Sequence, residues 1–360
     1  MSRIVIVVDT LRSGLGIAAL ARAQRDSNYV VVPALEFPTI NSLVNQILQF
    51  RPDYVIFSWR FLLLEILKSR KSMRMFQNFT PRPHVGVLIA DYLGRNSEFR
   101  MQEMSLLNSV DFYMVTCKDL ETLYSTEKYQ SVFAGVLHDI PNIPLSAPEV
   151  LESAPPAKIT KVLWVGNSKW GARQRLVDHK GMYSIVLPLF ELLKVEFPDI
   201  ELELIDSSSQ RLPNSEILKR LTPSTLLIQA SESEGTGLPL LEALARGSTP
   251  ITTRVGVAPE ILVGCFEELM VKKELPSFYK KCSEIIKSNP YQPFELQKLF
   301  NTHIETSSGD QISHTGFELR RGQLSSLNIG PRHLPGFWFI RYLRHRWAWW
   351  KFTGQNPENH

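Results

Sequence analysis

The sequence predicts an α/β protein with two domains, each built on a doubly wound parallel sheet. Its 360 residues exceed the roughly 250–300 at which a single hydrophobic core stops growing. Short apolar runs alternate with helical patterns in two successive series, which is typical of parallel α/β sheets. Residues 141–156 contain five prolines and separate the two series, so the domain boundary is expected there.

The first series opens with an apolar run at residues 4–8, typical of a central strand that is buried on both faces. Gly14 and Gly16 follow and introduce a helix, which makes the first unit of a Rossmann-like half. The full G-x-G-x-x-G pattern is missing, so a nicotinamide dinucleotide site is disfavoured, and a tight turn is one explanation of the two glycines. Further strands are predicted at residues 29–32, 53–59, 85–91, 110–116 and 131–136.

The second series places cations beside glycines. A strand at residues 161–165 runs into Asn167 and Lys169, and Lys180 precedes Gly181 after a longer loop that also carries Arg173 and Arg175. A helix is expected from about residue 183 to 196. Further strands are predicted at residues 201–205, 226–228 and 250–253.

The most informative stretch runs from Ser231 to Gly247. An apolar strand leads into a glycine loop that contains Glu234, and a helix follows that contains Glu242. Backbone N–H groups and a helix N-terminus can bind an anion at such a turn. The two carboxylates lie about two helical turns apart, so both can face one pocket. Taken alone, the spacing also fits an N-terminal capping acid and a surface glutamate.

Residues 228–261 resemble the nucleotide-sugar-binding segment of GT-B glycosyltransferases, in particular the retaining family four group. The shared pattern is S-x-x-E-G-x-G-L-x-x-L-E-A-x-A-x-G, with the E-x7-E pair at Glu234 and Glu242, followed by a second glycine loop that leads to Glu260. The resemblance implies a GT-B fold, in which two Rossmann-like domains face a cleft. It also implies sugar transfer from a nucleotide-diphosphate donor with retention at the anomeric carbon.

The resemblance assigns roles to individual residues. Glu234 is expected to contact the donor sugar and Glu242 the ribose, since a carboxylate can accept from two neighbouring hydroxyls. Lys180 is expected to bind the phosphates together with a second basic residue, for which Lys169, Arg173 and Arg175 are the candidates. The further donor-site candidates are Gly14, Gly16, Asn167, Lys169, Thr236, Gly237 and Leu238.

The sequence departs from the family at the end of the fourth strand. Many members have a His-Asp pair there, and the histidine touches the donor sugar. This chain reads Ala90-Asp91, so the contact to the sugar is in doubt. Asp91 and Glu234 are the two catalytic candidates. His138 is expected to be structural.

The composition of the chain disfavours nucleic acid binding and a metal or cofactor site. A net charge of +4 is too mild to indicate nucleic acid. Three cysteines without a C-x-x-C pair indicate neither a metal site nor a disulfide framework. No D-x-D pattern stands in a suitable loop, and lysines can replace a divalent cation, so no metal and no other cofactor is expected.

Two segments suggest contacts with a surface. The basic residues after the third strand are explained either as a solvated helix end or as a site for an anionic acceptor or lipid headgroup; they are Lys68, Arg70, Lys71 and Arg74. Residues 337–352 combine aromatic side chains with arginines and contain no acid. This pattern suits an anionic membrane surface, or a terminal helix packed across the first domain.

The predicted organisation is a domain at residues 1–144, a linker at 145–160, a nucleotide-sugar-binding domain at 161–330 and a basic aromatic tail at 331–360. The predicted function is transfer of a sugar to a glycan or lipid-linked acceptor in cell-surface polysaccharide synthesis. The protein is expected to be cytoplasmic, either free or peripheral at the inner face of the cell membrane. The alternatives are a catalytically inactive glycan-assembly protein and a nucleotide-sugar 2-epimerase of the same fold.

Overall fold

The computed structural model describes residues 3–11, 14–58, 60–92, 97–125, 129–138, 154–170, 177–210 and 212–308. The tail at residues 337–352 and the basic loop at 171–176 lie outside these ranges, as do residues 139–153 between the two halves. The domain boundaries therefore stay predictions.

The first half is a six-stranded parallel sheet in the order β2-β1-β3-β4-β5-β6. Its strands are β1 (Ile4–Val8), β2 (Tyr29–Pro33), β3 (Tyr54–Phe57), β4 (His84–Ile89), β5 (Phe112–Val115) and β6 (Val132–Val136). Its helices are α1 (Gly14–Arg25), α2 (Ile40–Gln49), α3 (Arg60–Lys68), α4 (Arg70–Asn78), α5 (Ser97–Leu107) and α6 (Lys118–Ser125).

The second half is a four-stranded parallel sheet in the order β10-β9-β7-β8. Its strands are β7 (Lys161–Gly166), β8 (Glu201–Asp206), β9 (Thr225–Gln229) and β10 (Thr249–Thr252). Its helices are α7 (Leu187–Glu196), α8 (Asn214–Arg220), α9 (Leu238–Ala245), α10 (Ala258–Ile261), α11 (Leu275–Lys287) and α12 (Pro293–Ser308).

The strand order explains the apolar runs. All five residues of β1 and of β9 are buried, because each strand pairs on both edges and is covered on both faces. In both sheets the order reverses beside the first strand of the half, β1 or β7. Ligands of open α/β sheets bind at the carboxyl ends of the strands near such a reversal. This predicts where the site lies.

Candidate functional site

The candidate site lies at the carboxyl end of β9, where the chain turns into α9. Gly237 is the N-cap of α9 and has a left-handed φ of 81°, a conformation that glycine adopts at little cost. Thr236 and Gly237 are buried, and Leu238 begins the helix. The backbone N–H groups of this turn and the positive end of the helix favour an anion.

Lys180 and Glu234 form an ion pair beside this turn. Lys180 Nζ lies 2.5 Å from Glu234 Oε1, and the Ser231 hydroxyl donates to the same oxygen at 2.5 Å. Lys180 is positioned by Gly181, where an added Cβ would lie 2.4 Å from the carbonyl oxygen of Ala230. The structure therefore brings together Lys180 and Glu234, both of which the family resemblance assigns to binding of the nucleotide-sugar donor.

An aromatic contact supports the same lysine. The Lys180 ammonium lies 5.0 Å from the centroid of the Trp170 ring, and His179 packs on that ring at 4.5 Å. Such a contact between a cation and an aromatic ring is attractive. Trp170 lies in an irregular turn, carries no periodic signal in the sequence and is not among the predicted site residues.

His179 adds a neutral polar group. Its Nε2 lies 3.1 Å from the carbonyl oxygen of Ser233, and its buried Nδ1 has no hydrogen-bond partner within the described ranges. Burial lowers the pKa of His179, and the neighbouring Lys180 lowers it further. The imidazole is therefore uncharged at pH 7, and its Nδ1 can accept a hydrogen bond when Nε2 carries the proton.

Asn167 and Lys169 occupy the turn after β7. The Asn167 side chain accepts from the backbone N–H of Lys169 at 3.0 Å, while the Lys169 side chain is exposed. This turn is held by the buried Asp206, which accepts from Ser168 N at 3.0 Å and from Ser168 Oγ at 2.6 Å. Burial raises the pKa of Asp206, but its hydrogen bonds to Ser168 and Ser208 outweigh burial and lower it to about 2.

Glu242 is buried on α9. Its side chain accepts from Asn214 Nδ2 at 2.6 Å. Burial raises its pKa to about 7, an effect that the Asn214 hydrogen bond only partly offsets. A carboxyl whose pKa is raised by desolvation often belongs to a functional site.

The first sheet meets the glycine loop across the gap between the two halves. A Cβ on Gly235 would lie 1.7 Å from the carbonyl oxygen of Ala90 and 2.9 Å from Thr116 Oγ1. The Ser233 hydroxyl donates to the carbonyl of Tyr92 at 3.4 Å. The hydroxyl of Thr116 is buried and unpartnered as far as the chain is described. Ala90, at the position where the family resemblance predicts a histidine, thus packs against the glycine loop.

Asp91 is held by another charge. Its carboxylate pairs with the buried Arg60 guanidinium, which also pairs with Glu103. Burial by itself lowers the pKa of Arg60, but the carboxylates of Asp91 and Glu103 outweigh it, so the pKa is raised. Glu103 in turn accepts a hydrogen bond from the Tyr124 hydroxyl at 2.9 Å. The negative charge of Asp91, whose side chain is 32% exposed, is therefore compensated by Arg60.

Glu260 joins the two halves. Its Oε1 accepts from the backbone N–H of Lys118, at the start of α6, at 2.8 Å. Its Oε2 lies 3.2 Å from Nε2 of the buried His138. Burial raises the pKa of Glu260, but the bonds to His138 and Lys118 outweigh it and the pKa is lowered. This contact is consistent with the structural role expected for His138.

Gly14 and Gly16 lie at the start of α1. A Cβ on Gly16 would lie 1.9 Å from the carbonyl oxygen of Thr10, so this glycine lets the preceding loop pack on the helix. Close packing is therefore sufficient to explain why residue 16 is a glycine. A role of Gly14 or Gly16 in binding a ligand stays a prediction.

The described residues hold no cluster of three or more His, Cys, Asp or Glu side chains that could bind a metal. Within the same ranges, no helix is both long and apolar enough to cross a membrane.

Comparison with known proteins agrees with this geometry. Residues 208–290, less than half of the chain, match the family described as Glycosyl transferases group 1. The match contains β9, the glycine loop and α9. A search of curated proteins gives no match.

Three solved structures share the fold. Sucrose-phosphate synthase from Thermosynechococcus elongatus has a TM-score of 0.56 at 11% identity and covers 98% of this chain and 100% of its own. HepE from Anabaena, in complex with UDP and glucose, has a TM-score of 0.54 at 10% identity and covers 86% and 97%. A trehalose-6-phosphate synthase studied with bisubstrate glycomimetics has a TM-score of 0.55 at 10% identity and covers 85% and 96%.

At these identities the structural similarity shows the fold. It confirms the predicted GT-B architecture of two parallel α/β sheets. The family match over residues 208–290 supports a glycosyltransferase enzyme.

Proposed function

We propose that this protein transfers a sugar from a nucleotide-diphosphate donor that binds between the two sheets. One observation carries the proposal: Lys180, Glu234 and the N-terminus of α9 converge at the loop against which Ala90 packs. Cations and N–H donors suit a diphosphate, and a carboxylate suits sugar hydroxyls. The structure of HepE in complex with UDP-glucose, which shares this fold, supports the choice of ligand.

The reaction divides into three tasks. Lys180 and the first turn of α9 would stabilise the negative charge that develops on the leaving diphosphate. Glu234 would accept from hydroxyls of the donor sugar, and Glu242 would accept from the ribose. In the absence of donor, Lys180 neutralises Glu234; a bound diphosphate would compete for the same ammonium. The charge of Lys180 fits the proposal that no metal is needed.

Retention, the acceptor and the place of action belong to the same proposal. Retention follows from the resemblance to family four. An acceptor that carries negative charge, such as a lipid-linked one, is supported by the exposed cations Arg70, Lys71 and Arg74 of α4. Such a face would also suit an enzyme that works at an anionic membrane surface in polysaccharide synthesis.

The direct test is thermal stabilisation by UDP-, GDP- and dTDP-sugars. A ligand that binds the folded state raises Tm, and Glu242→Ala should reduce the shift for the sugar that binds. The exposed Glu267→Ala serves as the control. If none of the three donor classes shifts Tm, donor binding as proposed is wrong.

The second candidate is an inactive donor-binding protein for glycan assembly. Two observations favour it. Ala90 stands where the family resemblance predicts a histidine, and the carboxylate of Asp91 is engaged in an ion pair with Arg60. Donor hydrolysis without acceptor separates the two: release of free sugar and nucleoside diphosphate supports the enzyme. Donor-induced stabilisation with no release in the presence or absence of glycan acceptors supports the binder.

A further inference from the structure

The side chain of Gln229 is a buried amide that ends close to the candidate site. The residue is 6% exposed, and neither Nε2 nor Oε1 has a hydrogen bond within the part of the chain that the structure describes. Buried polar groups are almost always hydrogen-bonded, because removal from water without a new partner is costly. The amide is therefore a candidate for contact with a ligand.

The amide lies at the first turn of α9. Gln229 Nε2 is 2.8 Å from the position that a Cβ on Gly237, the N-cap, would take. The strand fixes the backbone of Gln229, whose carbonyl accepts from Thr253 N at 3.1 Å. The side chain thus ends beside the helix terminus at which the donor phosphates are proposed to bind.

The same turn is short of backbone donors. Pro239 occupies one of its first positions and has no N–H. The N–H of Leu240 is already bonded to the carbonyl of Gly237 at 2.9 Å. An anion at this terminus therefore finds fewer N–H groups than the first turn of a helix usually offers.

We propose that the Gln229 amide binds the nucleoside diphosphate by donating an N–H to a phosphoryl oxygen, in place of the donor that Pro239 lacks. This inference rests on the proposed function and adds a residue to its donor site. A neutral amide supplies a donor without adding charge beside Lys180. Among the residues that the structure describes, nothing bonds to this amide, so the free-energy cost of burying it would be offset when the nucleotide binds.

The test is Gln229→Leu in the full chain, measured by calorimetric titration with UDP, GDP, ADP and dTDP and by thermal denaturation without ligand. The affinity for the nucleotide that binds the unmodified protein should fall about tenfold. The Tm of the free protein should stay the same or rise, because an unpaired amide is removed. These opposite signs would not arise from a merely structural glutamine.

Gln297→Leu is the matched control. Gln297 Nε2 donates to the carbonyl of Ala245, at the other end of α9, at 3.0 Å. Its replacement should lower Tm and leave nucleotide affinity unchanged. Gln229→Met, which keeps the shape of the side chain, replaces Gln229→Leu if the branched residue fails to fold.

The outcomes separate this inference from the proposed function. If the unmodified protein binds a nucleotide and both Gln229 variants bind it equally well, the role of Gln229 is wrong and the donor site stands. If the unmodified protein binds none of the four nucleotides, the donor site itself is wrong and the Gln229 contact is overturned with it.

Discussion

The carbonyl oxygen of Ala90 and the backbone of Gly235 touch across the gap between the two sheets, so that a Cβ on Gly235 would lie 1.7 Å from that oxygen. The carbonyl belongs to the main chain just after β4 and cannot rotate away as a side chain can. Only glycine fits at this position of the loop in the conformation described. The close contact between the two halves at this point thus requires that residue 235 has no Cβ.

Gly235→Ala should separate the first sheet from the glycine loop. We expect a destabilisation of about 1–3 kcal/mol and at least a tenfold loss of donor turnover, measured by thermal denaturation and by release of nucleoside diphosphate. Gly264→Ala is the control, because Gly264 has a positive φ of 63° but no atom of the described ranges lies within 4 Å of the position that a Cβ would take. It should cost about 1 kcal/mol and leave turnover unchanged. Equal turnover in both variants would contradict the role of the contact.

Lys180→Met should weaken binding of the nucleoside diphosphate by about 10–100-fold, the range for a hydrogen bond to a charged group. It also leaves Glu234 without its cation, so Tm should fall in the free protein. Lys169→Met is the comparison, since Lys169 is the exposed cation of the neighbouring turn. Calorimetric titration of both variants with UDP and GDP shows which lysine binds the phosphates. A larger loss for Lys169→Met would reverse the assignment.

Glu242 should make nucleotide affinity depend on pH. Its pKa is raised to about 7 in the free protein, and only the carboxylate can accept from both ribose hydroxyls. Affinity should therefore rise about tenfold between pH 6 and pH 8. Glu242→Gln, measured at the same two pH values, should lose this dependence while keeping any that comes from the ligand's own phosphate.

The raised pKa of Glu242 also makes the stability of the folded protein depend on pH. The folded protein holds a proton on Glu242 that the unfolded chain releases near the ordinary value of 4.5. This contribution is fully present below pH 4.5, and it falls as the pH rises through about 7. Thermal denaturation of the free protein should show this decline, and Glu242→Gln should flatten it. A Tm difference between the two proteins that is constant from pH 5 to pH 8 would contradict the raised pKa.

Glu260→Gln should loosen the contact between the two halves. The variant weakens the bonds to Lys118 N and His138, and we expect a loss of about 1–3 kcal/mol in the free energy of unfolding. Because the pKa of Glu260 is lowered, its contribution is present above the ordinary value of 4.5 and is lost as the pH falls through the folded value. The exposed Glu267→Gln should change neither Tm nor its acid limb.

The fold could be predicted because its signals are local. Buried parallel strands such as β1 and β9 are continuous apolar runs, and glycine turns and helical spacing follow them in the chain. The described strands lie within a few residues of the predicted ones. Strand order could not be predicted from these runs, because every buried strand has the same composition.

The candidate site could be predicted only through its sequence motif and through the family resemblance. Glu234 and Glu242 are close in sequence, but Lys180 lies 54 residues before Glu234, and no pattern in the chain reports their contact. Trp170 was missed because it lies in an irregular turn. Gln229 was missed because one polar residue at the end of an apolar strand has no distinctive spacing. The structure draws attention to it because its buried amide has no hydrogen-bond partner among the described residues.

The last described helix sets a limit on how the protein can be shortened. The α12 helix (Pro293–Ser308) buries Leu296 and Phe300, and its Gln297 bonds to the end of α9. Further along, its His303 ring packs on His138 of the first half at 5.0 Å. A fragment cut after residue 290, where the family match ends, would keep the whole matched segment and still uncover the apolar side of α9. Expression and crystallisation trials should therefore extend at least to the end of α12.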